Sequence, residues 1–421
     1  MDKRQFLKTM GLSALSAPVF SKSFDQNIEK HRDLGADKLA SNEEFWSKVR
    51  KQYVLNPDFI NLENGYYCIT PTPIKKALVN NIEECNLLGS YYMRTKRFDD
   101  NEEVRKHLAK AAGCDYEEII VTRNTTESLD TVISGYDWKP GDEAIMAEQD
   151  YPSMIQHFEL MEKRFGIVRK VLSVQGHPKS DQEIVEMYEK AITPKTRLLM
   201  VCHMINITGQ ILPIKKISDM AHKYGVDVLV DGAHAFCHFE YKISDLGCDY
   251  YGASLHKWLS APLGVGILYV NKSKIKSLWQ LYGDTGFADH DIRKLNHTGT
   301  PAVHTDISII NALDYFYKIG PANKEARLRY LQTYWSDALK NESNVVINTP
   351  FEAERKCGIG NVGLTNMKPV EMAQRLLKQY KIWTVGIEGQ NVFGCRITPN
   401  IYTSTKELDI FIKAVKELAK V

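Results

Sequence analysis

The chain has 421 residues, 43% hydrophobic and 25% charged, an ordinary globular balance with room for two domains. A net charge of +2 leaves no bulk electrostatic case for nucleic acid or an anionic membrane surface, and the apolar runs are too short to span a bilayer. Eight scattered cysteines without a CxxC pair argue against a disulfide framework or a cysteine-based zinc module.

The first segment, "MDKRQFLKTMGLSALSAPVFS", sets Lys3 and Arg4 before small and apolar residues that run to Phe20. This predicts a signal peptide over 1–22, similar to the twin-arginine type with Lys-Arg where Arg-Arg is usual, and hence export to the periplasm rather than a cytoplasmic protein. Residues 23–69 read as a polar linker and arm, in which "EEFWSKVRKQY" has helical spacing with Phe45, Trp46 and Val49 on one side. From about residue 70 the pattern alternates. "EEIIVTR", "DEAIMAEQ", "TRLLMVCHM", "VDVLVDGAH" and "VGILYV" are short apolar strands. "TTESLDTVISGY" and "IKKISDMAHKYG" are helical, the first with Thr125 or Thr126 as N-cap, the second ending at Gly225. Apolar strands alternating with helices predict an α/β fold over 70–305, with a mostly parallel sheet covered on both faces. Over 306–421, helical spacing broken at Gly320-Pro321 is followed by β, β, α, β, β, α, a smaller α+β domain.

The chemistry gathers around "LVDGAHAF" and "ASLHKWLSAPLGVG". Asp231 falls at the C-terminal end of a buried strand, the edge where open α/β sheets bind ligands. A carboxylate there needs a cationic partner, and Lys257 lies at the mouth of the next strand-like segment. Asn124, Thr125 and Thr126 stand between a strand and a helix, where free N–H groups and hydroxyls make an anion site; Ser254 and His256 add donors beside Lys257. A lysine, an acid and a phosphate cradle in one crevice are what pyridoxal 5′-phosphate requires. The amine joins the aldehyde, the carboxylate keeps the pyridine nitrogen protonated, and the cradle holds the phosphate. His234 and His238 have HxxxH spacing, but Asp231 and Lys257 account for the site and no metal is assigned.

The ordered series "NTTESL … EQDYPS … HMINITGQ … VDGAH … SLHKW … GTP … RITPNIY" resembles the class V aminotransferase-like family of fold-type I pyridoxal-phosphate enzymes, most of all its isopenicillin-N-epimerase-like members, over about residues 60–405. The resemblance implies a role for each matching residue. Lys257 becomes the Schiff-base lysine and proton shuttle, and Asp231 the partner of the pyridine nitrogen. His234 and Asn206 approach the phenolic oxygen, and Tyr151 stacks on the ring. Thr125, Thr126, Ser254 and His256 hold the phosphate. Thr300 reaches the phosphate of a neighbouring subunit, which implies a homodimer. Arg396 grips the substrate's α-carboxylate, a bidentate task suited to a guanidinium, and Asn64 lines the same site. Tyr66, Tyr67, Tyr91, Tyr92, Arg94 and Arg97 are open to either a substrate-pocket or an interface role. Epimerase or racemase activity is the leading expectation. Transamination, a Cβ-lyase or hydrolase reaction (desulfurase- or kynureninase-like), and a degenerate binding protein are the alternatives. Desulfurases of this family carry a nucleophilic cysteine on a loop ahead of the arginine. Here that span holds only Cys395, which strand alternation turns away from Arg396.

Overall fold

The large sheet is built from seven short strands, Ile119–Thr122 (β1), Glu143–Ala147 (β2), Val168–Leu172 (β3), Thr196–Cys202 (β4), Asp227–Asp231 (β5), Tyr250–Ser254 (β6) and Gly266–Val270 (β7), largely buried on both faces except for the partly exposed edge strand β3. In the computed structural model, which describes residues 20–283 and 286–420, they lie in the order β1-β7-β6-β5-β4-β2-β3. Only β7 runs antiparallel to its neighbours. The pleat explains why these strands read as unbroken apolar runs. Leu198 and Met200 enter the apolar core on one face, while Leu199 and Val201 enter the other.

The smaller sheet is antiparallel, in the order β10-β11-β9-β8, from Val345–Ile347 (β8), Gly360–Leu364 (β9), Val385–Gly389 (β10) and Val392–Ile397 (β11). Helices Pro369–Tyr380 and Thr405–Leu418 supply Met372, Leu376, Phe411 and Val415 to the core beneath it. The expected break at Gly320-Pro321 separates helices Val303–Ile319 and Pro321–Leu339, with Gly320 at φ +94°. The strand β3 and the helices Thr72–Leu88 and Lys96–Ala112 were not anticipated from the sequence.

Two expectations need correction. The polar stretch after residue 22 is not a linker. It forms helices Lys22–Lys30 and Ala36–Ala40 ahead of the expected helix, Glu43–Arg50: Phe24 stacks on Tyr315 with ring centroids 5.8 Å apart, Leu39 is buried, and Phe45, Trp46 and Val49 are buried as their spacing predicts. The arm then adds Ile60–Asn61 as a parallel strand beside Ile382–Trp383. The helix Thr125–Gly135 (α1) is capped by Asn124, whose Oδ1 accepts from Glu127 N–H at 2.9 Å, not by a threonine. The expected export signal lies, up to residue 19, outside the described residues. Among the described residues no helix is long and apolar enough to cross a membrane.

Because Phe24 is fully buried, Phe24→Ala is expected to destabilise the protein by about 3 kcal/mol. Urea unfolding checks this; an unchanged midpoint would restore the linker reading.

Candidate active site

Asp231 ends β5 with its carboxylate at the carboxyl edge of the sheet, flanked in register by Cys202 of β4 and Gly252 of β6. It is 5% exposed, and its Oδ1 accepts from Ala233 N–H at 2.9 Å. Burial pushes its pKa up, while the Ala233 amide and Lys257 act against that shift. Lys257 sits in the turn between β6 and β7. Because β7 returns antiparallel, with Ser254 opposite Gly266, the turn stands over the same edge. Lys257 Nζ lies 2.9 Å from His234 Nε2. Desolvation pulls the amine down to about 8; Asp231 opposes this and the charge of Arg396 adds to it.

The cradle forms where α1 meets this turn. Thr125 Oγ1 is 2.7 Å from Ser254 Oγ, which also accepts from Thr125 N–H at 2.9 Å. The approach requires glycine at 266, since a Cβ there would lie 2.7 Å from Asn124 Cα. Thr126 is half-buried in the first turn of the helix. His256 Nδ1 is buried with no hydrogen-bond partner, and desolvation lowers the ring's pKa to about 4. An orphaned polar atom beside hydroxyls and a helix N-terminus suits a phosphate, and a desolvated acid beneath a reactive amine suits a pyridinium. These residues fit pyridoxal 5′-phosphate.

The substrate side holds a residue that sequence reasoning missed. Arg396, on β11, donates through Nε to Glu63 Oε2 at 3.0 Å and through Nη2 to Glu63 Oε1, with both side chains buried. Its Nη1 donates to the carbonyl of Asn206 at 3.3 Å, so Asn206 enters the site through its backbone. One N–H on each of Nη1 and Nη2 is left over, a two-point donor for a carboxylate. Glu63 is separated from Arg396 by 333 positions, and its only sequence signal was its place beside Asn64 in "NLENGYY". Asn64 itself is corrected. Its amide donates to Thr398 O at 2.7 Å and accepts from Tyr402 Oη at 2.6 Å, so it fastens the arm to the small domain instead of lining the site.

The remaining candidates divide. Tyr151 is 41% exposed at the start of helix Pro152–Phe165, and its backbone reaches the Cys202 thiol beside Asp231. Thr300 is exposed on a separate groove of about 810 Å³, which Arg97, Arg123 and Arg293 also line. Tyr92 is buried and donates to Asp100 Oδ2 at 2.5 Å, Tyr66 is exposed, and Tyr67 pairs with Thr70. His238 uses both ring nitrogens within the protein, toward His234 O at 2.7 Å and Gly358 N–H at 2.8 Å. Cys395 is fully buried on the face opposite Arg396, its Sγ 3.5 Å from Pro369 O, and burial raises the thiol to about 12.

This arrangement belongs to a known class. The chain is a member of the Aminotransferase class-V family, whose model matches residues 79–411, and it is a pyridoxal-phosphate-dependent enzyme of that class. Isopenicillin N epimerase of Streptomyces clavuligerus is 26% identical over 396 residues, covering 89% of this chain and 98% of that one. A probable cysteine desulfurase of Halalkalibacterium halodurans is 28% identical over 269 residues, 61% of this chain and 64% of that one. A solved structure of a C-DES mutant, with glycine covalently linked to its pyridoxal-phosphate cofactor, shares the fold with a TM-score of 0.79 at 22% identity, covering 87% of this chain and 99% of that one.

Removing either partner of the buried Glu63–Arg396 pair strands the other charge. Glu63→Ala and Arg396→Ala are each expected to cost about 3 kcal/mol, and the double variant less than their sum. Urea midpoints of the four proteins measure the coupling; additive losses would mean the pair does not interact.

Proposed function

We propose that this enzyme epimerises or racemises an amino acid at Cα. The observation that carries the choice is the segment ahead of Arg396. It offers no thiol to take up sulfur: Cys395 is inert and faces away, while Gln390 and Asn391 tie the segment to Glu148. The full-length similarity to isopenicillin N epimerase supports the same reading.

Pyridoxal 5′-phosphate, when bound, supplies an electron sink for the pair left on Cα when a substituent departs. In this reading Thr125, Thr126, Ser254 and His256 hold its phosphate, Asp231 faces its ring nitrogen, and Tyr151, Asn206 and His234 flank the ring. Arg396, oriented by Glu63, grips the substrate's α-carboxylate and fixes which bond at Cα faces Lys257. Lys257 Nζ takes the Cα proton on its own face, which an amine brought down to about 8 can do near neutral pH, and inversion is completed by a proton delivered to the opposite face by a second acid. The reading includes a homodimer in which Thr300 serves the neighbouring subunit's phosphate site.

Purified holoenzyme incubated in D₂O with a panel of single-enantiomer amino acids tests it. Deuterium at Cα with loss of enantiomeric purity is the expected result. Keto acid, or sulfide with pyruvate, would replace this reading with transamination or β-elimination. Lys257→Ala should abolish turnover, and Arg396→Ala should raise KM by about 100-fold, as loss of a charge-assisted pair does.

A further inference from the structure

Four contacts behind the reactive amine form a chain in which each proton position follows from the one before. Gly358 N–H can only donate, so His238 Nε2 accepts, at 2.8 Å. The approach is possible because residue 358 is glycine; a Cβ there would lie 2.9 Å from that nitrogen. His238 Nδ1 then carries the proton and donates to His234 O at 2.7 Å. The neutral His238 ring lies flat on Trp258, with centroids 3.5 Å apart and planes 20° apart. Trp258 is fully buried, and the buried Lys324 donates to its carbonyl. The His238 stack holds the indole and Lys324 holds the backbone that carries it, with the indole N–H directed at His234 Nδ1, 3.4 Å away.

An indole nitrogen has no acceptor capacity. His234 Nδ1 must therefore be the unprotonated nitrogen, and Nε2 carries the hydrogen. That hydrogen meets Lys257 Nζ at 2.9 Å, where an ammonium would present hydrogens to a hydrogen. We propose that Trp258, held against His238, is a positioning residue that fixes His234 as an Nε2–H donor, so that Lys257 is kept as the free amine with its lone pair in use. The inference rests on the reading of Lys257 as the cofactor-capturing amine. The other groups acting on that amine are Asp231 from β5, Cys202 from β4, Cys68 from the N-terminal arm and Arg396 from β11, with His256 beside it in the turn. Of these, Asp231, Cys202 and Cys68 favour the ammonium and Arg396 opposes it.

The test follows capture of pyridoxal phosphate by the cofactor-stripped full-length protein, read as the change in cofactor absorbance from pH 6.5 to 10. Borohydride fixation and mass spectrometry locate the adduct. Trp258→Phe keeps the flat contact with His238 and removes only the N–H. Without that N–H, His234 can turn its acceptor to an ammonium. Capture at pH 7.5 is then expected to slow about fivefold, with the midpoint moved to higher pH and the rates converging at pH 10. In 15N-histidine-labelled protein, NMR should show His234 with a bare Nδ1 and an Nε2–H in wild type, and that preference should be lost in Trp258→Phe. An unmoved pH profile in Trp258→Phe, or a slowing that is the same at every pH, overturns the inference. Should Trp258→Phe fail to fold, the wild-type tautomer decides: a bare Nδ1 on His234 supports the inference, and a protonated Nδ1 overturns it. A wild-type protein with no adduct at Lys257 sinks the functional reading itself, whereas an adduct there with an unmoved profile sinks only this inference.

Discussion

A desolvated amine beside a desolvated acid is the constraint on which the rest of this structure turns. Burial alone would neutralise both Lys257 and Asp231, whereas their mutual attraction favours the charged pair. Neither effect wins outright. The amine is left within reach of neutral pH, and the acid keeps a demand for a cation that a ligand can meet. A second buried pair, Arg396 with Glu63, lies close enough for the arginine to push the lysine further toward its neutral form. Two cations and two acids therefore balance at one sheet edge. The four charges act on one another, so substitutions here will not behave additively.

The fold serves that balance by bringing distant segments to the edge. Reversal of β7 turns the chain back just beyond Ser254 and leaves Lys257 standing over Asp231. The same reversal brings Gly266 against Asn124, so the cradle at the start of α1 and the amine are set by one turn. The arm contributes Glu63, and it is held to the small domain by Asn64, Thr398 and Tyr402. The substrate side of the site is thus fastened to the smaller sheet, while the cofactor side is fastened to the larger one. Any motion between the two sheets changes the distance between Arg396 and Lys257, which gives such an enzyme a means to close over its substrate.

How much of this was legible in the sequence depends on the range of the interaction. Asp231, Lys257, Thr125 and Ser254 were readable because each sits at the end of a short apolar run, and strand ends in an α/β sheet share one edge. Glu63 was not readable, because a carboxylate in a polar arm looks like any surface acid until the fold brings Arg396 to it. Asn64 was placed in the site by the resemblance alone, and only the fold shows its amide joined to Thr398 O and Tyr402 Oη, where it ties the arm to the small domain. Helices Lys22–Lys30 and Ala36–Ala40 were hidden because Phe24 and Leu39 are isolated in polar sequence and single anchors leave no periodic pattern, whereas Phe45, Trp46 and Val49 made the next helix readable. Asn124 displaced the threonines as cap because the hydroxyl of Thr125 is already held by Ser254, a partner 129 positions away.

The order of protonation behind Lys257 was also beyond sequence reading, and it shows why "HKW" differs from a lysine in any apolar setting. The bulk of Trp258, fully buried, excludes water from around the amine. Bulk alone lowers a lysine's pKa but leaves the neighbouring imidazole free to present either nitrogen. With both tautomers available, an ammonium at Lys257 would select the one that accepts from it, and the gain from desolvation would be partly lost. The indole N–H removes that freedom, and it is itself held by a ring stack and a buried lysine. In this reading the protein sets the charge of Lys257 through Trp258 and two histidines, groups that are all buried and so insensitive to salt.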